Sequence, residues 1–75
     1  MTPEQQQGIG DRWAKIRSTT DRLRRAAEAF KDASLANAPA ERLRDLSNQY
    51  DEAQQADNIA HDELEAALRS IGINV

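Results

Sequence analysis

The stretch IGDRWAKIRSTTDRLRRAAEAF, residues 9–30, decides the fold of this 75-residue chain. Its apolar and near-apolar residues recur at alternating steps of four and three, a spacing that places them along one stripe of an α-helix. The members of this first seam are Ile9, Trp13, Ile16, Thr20, Leu23, Ala27 and Phe30. Thr2, Pro3 and Gln5 have the spacing of a capped helix start, so we expect helix 1 over about residues 3–34.

A second seam with the same spacing follows, and its phase does not slip. Its members are Leu43, Leu46, Tyr50, Ala53, Asp57, Ala60, Leu64, Ala67 and Ile71. Asn37 or Ala38 is the expected cap of this second helix, with Pro39 in the first turn. We therefore expect a turn over residues 35–38 and helix 2 over about residues 39–71.

The turn and the end of the second helix carry further sequence signals. Leu35 is expected to fill the closed end of the hairpin, beside the turn. Gly72 suits the left-handed position that ends a helix in a Schellman motif, with Ile73 supplying the hydrophobic contact that accompanies it. Residues 72–75 would then form a short apolar tail.

These features predict an all-α fold in which residues 1–75 form a single domain, an antiparallel two-helix hairpin. The apolar fraction is only 39% and the chain has no cysteine, so one hairpin has a thin core and no disulfide to stabilise it. We therefore expect two hairpins to pair into a four-helix bundle. An alternative is a break at Ser18–Thr20 that gives three helices, but the heptad phase runs through this segment without the stutter that a break would cause.

Asp57 is the one charged residue on the second seam. Pairing the helices symmetrically about the turn places Asp57 opposite Ile16, within reach of Arg12 and Arg17. A paired aspartate at this position would set the register of the hairpin. The alternative is that Asp57 contacts a partner.

Charge is divided unequally between the two helices. The net charge is −3, yet residues 3–34 hold seven basic and five acidic residues, and residues 39–75 hold three basic and eight acidic residues. Three cations on helix 1 repeat at heptad spacing beside the seam and lack a full set of acidic mates on helix 2: Arg17, Arg24 and Lys31. Five acids fall on the outer side of helix 2: Asp45, Asp51, Glu52, Asp62 and Glu65.

No residue pattern indicates an enzyme, and we expect no catalytic, metal or cofactor site. The adjacent carboxylates Asp51–Glu52 and Asp62–Glu63 diverge by about 100° on a helix and cannot converge on one substrate. His61 and Glu65 are one turn apart, but no third metal ligand follows at helical spacing. Without an apolar run of membrane-spanning length or a secretory signal, we expect no membrane association and a cytoplasmic location.

Three functional hypotheses follow, and the first is a protein-interaction or regulatory module that binds a copy of itself or a target protein. The second is an acidic mimic of nucleic acid, an inhibitor of the kind that phages make, which uses the outer face of helix 2. The third is RNA binding through the basic stripe formed by Arg17, Arg24 and Lys31, by architectural analogy with the dimeric hairpin of the plasmid repressor Rop. The net negative charge makes nucleic acid the less favoured partner. Candidate partner-contact residues are Trp13, the three cations and the five outer acids named above.

Overall fold

The computed structural model describes residues 2–73 and consists of two helices, α1 (Pro3–Leu35) and α2 (Ala40–Ser70). Lys15 near the start of α1 contacts Glu63 near the end of α2, so the helices run antiparallel. The molecule is a rod of 52 × 15 × 14 Å. The predicted all-α hairpin is confirmed. Because α1 continues without interruption through Ser18–Thr20, the three-helix alternative is wrong.

The predicted start of α1 is present in atomic detail. Thr2 Oγ1 accepts a hydrogen bond from the Gln5 backbone N–H at 3.2 Å. The Gln5 side-chain oxygen accepts one from the Thr2 N–H at 2.9 Å, which completes a capping box. Pro3 occupies the first helical position, where its missing N–H costs nothing.

The turn differs from the prediction in three ways. Asn37 does not cap α2; it adopts a left-handed conformation (φ 55°) and ends α1, while Ala38 donates to the Ala33 carbonyl in a Schellman motif. Pro39 precedes α2 and does not lie in its first turn, and no side chain caps the start of α2. Leu35 is 74% exposed instead of filling the closed end. It lies two residues beyond Ala33, about 200° around the helix from the surface that meets α2.

The end of α2 matches its prediction. Gly72 is left-handed (φ 89°) and donates to the Arg69 carbonyl at 3.0 Å. Ile73 donates to the Leu68 carbonyl at 3.0 Å, so both hydrogen bonds of the Schellman motif form. The last two residues of the expected tail, Asn74 and Val75, lie outside the described residues.

The core is a narrow seam between the helices. Ala53 and Ala60 of α2 are 0% and 1% exposed, and Ile16 of α1 packs between the two helices beside Leu64. Alanine at the centre of an interface lets two helices approach closely, because its side chain ends at Cβ. The residues of the predicted second seam are all buried or half-buried in the structure.

The predicted seam of α1 is correct in only one of its two rows. The row Ile9, Ile16, Leu23 and Phe30 borders α2, although Phe30 remains 37% exposed. The second row that contacts α2 begins three residues after Ile9, at Arg12. The predicted row, which begins four residues after Ile9 at Trp13, is not the one in contact. The residues of α1 that are buried or half-buried against α2 form the contact stripe: Ile9, Arg12, Ile16, Thr19, Leu23, Ala26 and Ala33.

The consequence is that the whole second row of the predicted seam is exposed: Trp13, Thr20 and Ala27. We call these three residues the outer stripe. The small residues Thr19 and Ala26 of the contact stripe suit close approach to an alanine-lined α2 better than an indole ring does. Packing therefore turns α1 so that its small side chains face α2 and its tryptophan does not.

Gly10 offers a simple test of the α1 description. It is an exposed interior position of α1, and a Cβ built there meets no atom within 4 Å. Gly10→Ala should raise the free energy of unfolding by about 0.5–1 kcal/mol, because alanine loses less backbone entropy in a helix. Chemical denaturation followed by circular dichroism measures this change. No gain in stability would mean that α1 is frayed past residue 10 in solution.

Candidate partner-binding surface

The three aromatic side chains of the chain lie on one side of the hairpin. Trp13 is 49% exposed, Phe30 is 37% exposed and Tyr50 is half-buried. Phe30 and Tyr50 line one groove together with Ala27, and Ala27 continues the outer stripe that begins at Trp13. We call this side, formed by the outer stripe, Phe30 and Tyr50, the aromatic face. Its apolar side chains lie on both sides of the polar Thr20–Asp57 contact at mid-length.

Basic side chains border the aromatic face along α1. Arg17 and Arg24 line the same groove as Trp13, and both are exposed, as is Lys31. Arg24 forms a salt bridge with Asp21 at 2.6 Å, and Arg25 also pairs with Asp21. Within residues 2–73, Arg17 and Lys31 make no salt bridge. The structure thus brings two members of the predicted basic stripe, Arg17 and Arg24, next to the predicted contact residue Trp13.

Asp57 forms a polar layer near the middle of the hairpin. Its Oδ1 accepts hydrogen bonds from Thr19 Oγ1 at 2.7 Å and Thr20 Oγ1 at 2.9 Å. His61 Nε2 lies 3.5 Å from its Oδ2. The prediction that Asp57 faces Ile16 and pairs with an arginine is therefore wrong.

The register explains this difference. Helix α1 ends one residue later and α2 begins one residue later than expected, so the centre of the turn moves from between residues 36 and 37 to between 37 and 38. This change moves Asp57 two residues further along α1, to the level of Ser18, and its side chain reaches the next two residues, Thr19 and Thr20. Of the two arginines expected nearby, Arg12 instead donates to the Gly8 carbonyl at 3.0 Å.

These hydroxyl groups lower the pKa of Asp57. The hydrogen bond from Thr19 makes the largest contribution, partial burial opposes it, and Thr20 and the charge of His61 lower the pKa further. Each of these donors stabilises the charged carboxylate in the folded state only. The carboxylate of Asp57 is therefore a source of pH-dependent stability.

Asp57→Asn should remove this pH dependence. On acidification the unfolded chain binds the proton first, near the ordinary aspartate pKa of 3.8, and the folded chain binds it at a lower pH. The stabilisation by Asp57 is therefore fully present above about pH 5 and is lost as the pH falls through the folded-state pKa. Urea titrations of both proteins between pH 2 and 7 measure it. Asp21, whose pKa is also lowered, mainly by Arg25, is common to both proteins and cancels. A constant stability difference between them at every pH would contradict this prediction.

The five predicted outer acids all lie at exposed positions of α2. Glu65 pairs with Arg69 of its own helix at 3.4 Å. Within residues 2–73 the other four form no salt bridge: Asp45, Asp51, Glu52 and Asp62. The salt bridge that does cross between the helices uses Glu63 and Lys15, at 3.1 Å, on the side of the hairpin away from the aromatic face.

The sequence patterns did not show that Thr19 and Thr20 hold Asp57 or that the three aromatic residues share one face. The signal for the first was the pair of adjacent threonines near the middle of a heptad helix, where a polar residue needs a hydrogen-bond partner. Among residues 2–73, no three potential metal ligands cluster together. No helix in this range is long and apolar enough to cross a bilayer.

Comparison with known proteins adds no relative: no protein-family model matches the chain, and no curated protein and no solved structure shows significant similarity to it.

Proposed function

We propose that this protein is a small, non-enzymatic protein-interaction module that acts through its aromatic face. In this proposal a second copy covers the face and completes a four-helix bundle. The observation that carries the proposal is the exposure of the outer stripe. Of the two rows that α1 offers beside its central row, the one that contains Trp13 stays exposed beside the contact with α2, and only Thr20 of this row reaches α2, through its hydrogen bond to Asp57.

The composition of the face supports binding and not only solvation. Trp and Tyr are the residues most often found at the energetic centre of protein interfaces, because they bury a large area with few rotatable bonds. A helix of a four-helix bundle makes two helix contacts, and the two rows of α1 suit one contact each. The contact stripe meets α2, and the outer stripe is available for a helix of the partner.

Sedimentation equilibrium of the purified protein tests the proposal. We expect a concentration-dependent increase in mass towards the dimer. Trp13 is the single tryptophan of the chain, so its emission should shift to shorter wavelength over the same concentrations as the indole leaves water. A protein that stays monomeric with unshifted emission up to millimolar concentration would contradict self-association.

The outer acids of α2 favour a second candidate, an acidic mimic of nucleic acid. Four of these five exposed carboxylates have no salt-bridge partner within residues 2–73, so their negative charge is not neutralised locally. Competition with DNA for a cationic nucleic-acid-binding protein would test this candidate. Reversing Asp45, Glu52 and Asp62 to lysine should abolish competition and leave the helical content unchanged.

A further inference from the structure

We infer that the second copy binds with its two-fold axis parallel to the helices, so that α1 of each protomer packs on α2 of the other across the aromatic face. This inference rests on the proposed self-association and specifies its geometry. In this arrangement Arg24 of each protomer lies beside Asp51 of its partner. Charge distinguishes the possible arrangements, because the apolar side chains of the face can pack in more than one of them.

Two symmetric arrangements cover the whole length of a 52 Å rod. With the axis parallel to the helices, α1 covers the partner's α2, and each residue stays at its own level along the rod. With the axis perpendicular to the helices, α1 covers the partner's α1 and α2 covers the partner's α2. A residue on one side of the middle of the rod then meets partner residues from the other side of the middle. The Thr20–Asp57 contact marks that middle, since both residues lie near the centres of their helices.

The perpendicular axis brings like charges together. Arg17 and Arg24 lie at similar distances on either side of Thr20. The perpendicular axis therefore places Arg17 of one protomer beside Arg24 of its partner. Asp57 meets the Asp57 of the partner, because it lies at the middle of the rod. Asp51 and Glu65 are related in the same way on the outer margin of α2. Like charges at short distance disfavour association, and more so as water is excluded.

The parallel axis instead places the basic edge of α1 next to the acidic edge of the partner's α2. Asp51 directly follows Tyr50, so it lies about 100° further around α2, on the outer margin of the aromatic face. Arg24 directly follows Leu23 and lies on the corresponding margin of α1. The Thr20–Asp57 and Lys15–Glu63 contacts put Arg24 at the level of residues 53–54, about 3–5 Å along the rod from Asp51, a distance that the long arginine side chain spans. The same register brings the small Ala27 to the level of the bulky Tyr50.

One contact in this arrangement is unfavourable, and it provides the sharpest test. Lys31 comes to the level of Arg44, which occupies the same margin of α2 as Asp51, seven residues earlier. Lys31→Glu should therefore strengthen the dimer, by about three- to tenfold in Kd, because two like-charge contacts become opposite-charge contacts. With the perpendicular axis Lys31 lies at the level of uncharged Gly10, and the dimer should not respond.

Arg24→Glu provides a test with opposite signs for the two arrangements. With the parallel axis it should weaken the dimer about tenfold, and the double variant Arg24→Glu/Asp51→Arg should restore it, since the pair is re-formed with exchanged charges. With the perpendicular axis it should strengthen the dimer by pairing with Arg17. Sedimentation equilibrium at low salt gives both dissociation constants, and denaturation of each variant reports whether the hairpin is still folded.

The outcomes separate this inference from the proposed function. A wild-type protein that does not dimerise overturns both. A dimer that weakens with Arg24→Glu, recovers in the double variant and tightens with Lys31→Glu supports the parallel axis. A dimer that tightens with Arg24→Glu, or does not respond to any of these charge changes, overturns the parallel axis and leaves the self-association intact.

Discussion

Leu64→Ala should lower the free energy of unfolding by about 2–4 kcal/mol and leave the hairpin largely unfolded at 37 °C. Leu64 is 5% exposed and packs with Ile16 and Ala60 in a seam one side chain thick. Removing a buried leucine side chain costs its transfer free energy and leaves a cavity that the neighbours fill only in part. A 75-residue chain has a small total stability, so a loss of this size is a large fraction of it.

Ile59→Ala is the matched control for this prediction. It removes a similar number of methyl and methylene groups from the same helix, but Ile59 is 56% exposed. We expect a change below about 0.5 kcal/mol, since little buried area is lost and alanine favours helix. Denaturant titrations at one low protein concentration compare the two variants. Equal destabilisation by both would show that α2 does not use the seam described for it.

The sequence predicted the elements of the fold well, because the heptad spacing fixes both the type and the length of a helix. Both helix boundaries at the turn were off by one residue. The signals there were ambiguous, since Asn37 suits both a helix start and a left-handed helix end. Asparagine can cap the start of a helix or take the left-handed position of a Schellman motif at its end. In this structure Asn37 takes the second role.

The rotation of α1 could not be predicted from hydrophobicity. The row of Ile9 and Ile16 has a neighbouring row on each side, and hydrophobicity favours the side that contains Trp13. The choice depends on the partner helix, whose central residues Ala53 and Ala60 let α1 approach closely, so that the central row with Ile16 packs on the alanines and the small Thr19 and Ala26 fit beside it. A seam of alanines is thus a signal for close approach, and it would have favoured the row with Thr19 and Ala26.

The same rotation explains the position of the candidate site. The rotation leaves Trp13 and Ala27 of the outer stripe on the surface, where burial against another chain would remove them from water. The basic stripe was predicted from spacing alone, and the structure places it along the edge of this surface. What sequence could not supply was the register, which brings Arg24 within one helical turn of the level of Asp51.

Trp13→Ala should weaken self-association by roughly 30- to 150-fold, the effect of losing a large aromatic residue that is energetically important in an interface. Below the dissociation concentration, the same change should cost the monomer far less than Leu64→Ala does, because 49% of the Trp13 surface is already exposed in the hairpin. The ratio of the two effects distinguishes an interface residue from a core residue. Ile59→Ala, which also removes an exposed apolar side chain but on the opposite margin of α2, should leave the dissociation constant within about twofold. A loss of 3–5 kcal/mol of monomer stability in Trp13→Ala would instead place the indole between α1 and α2, and the aromatic face would then have no exposed centre with which to bind a partner.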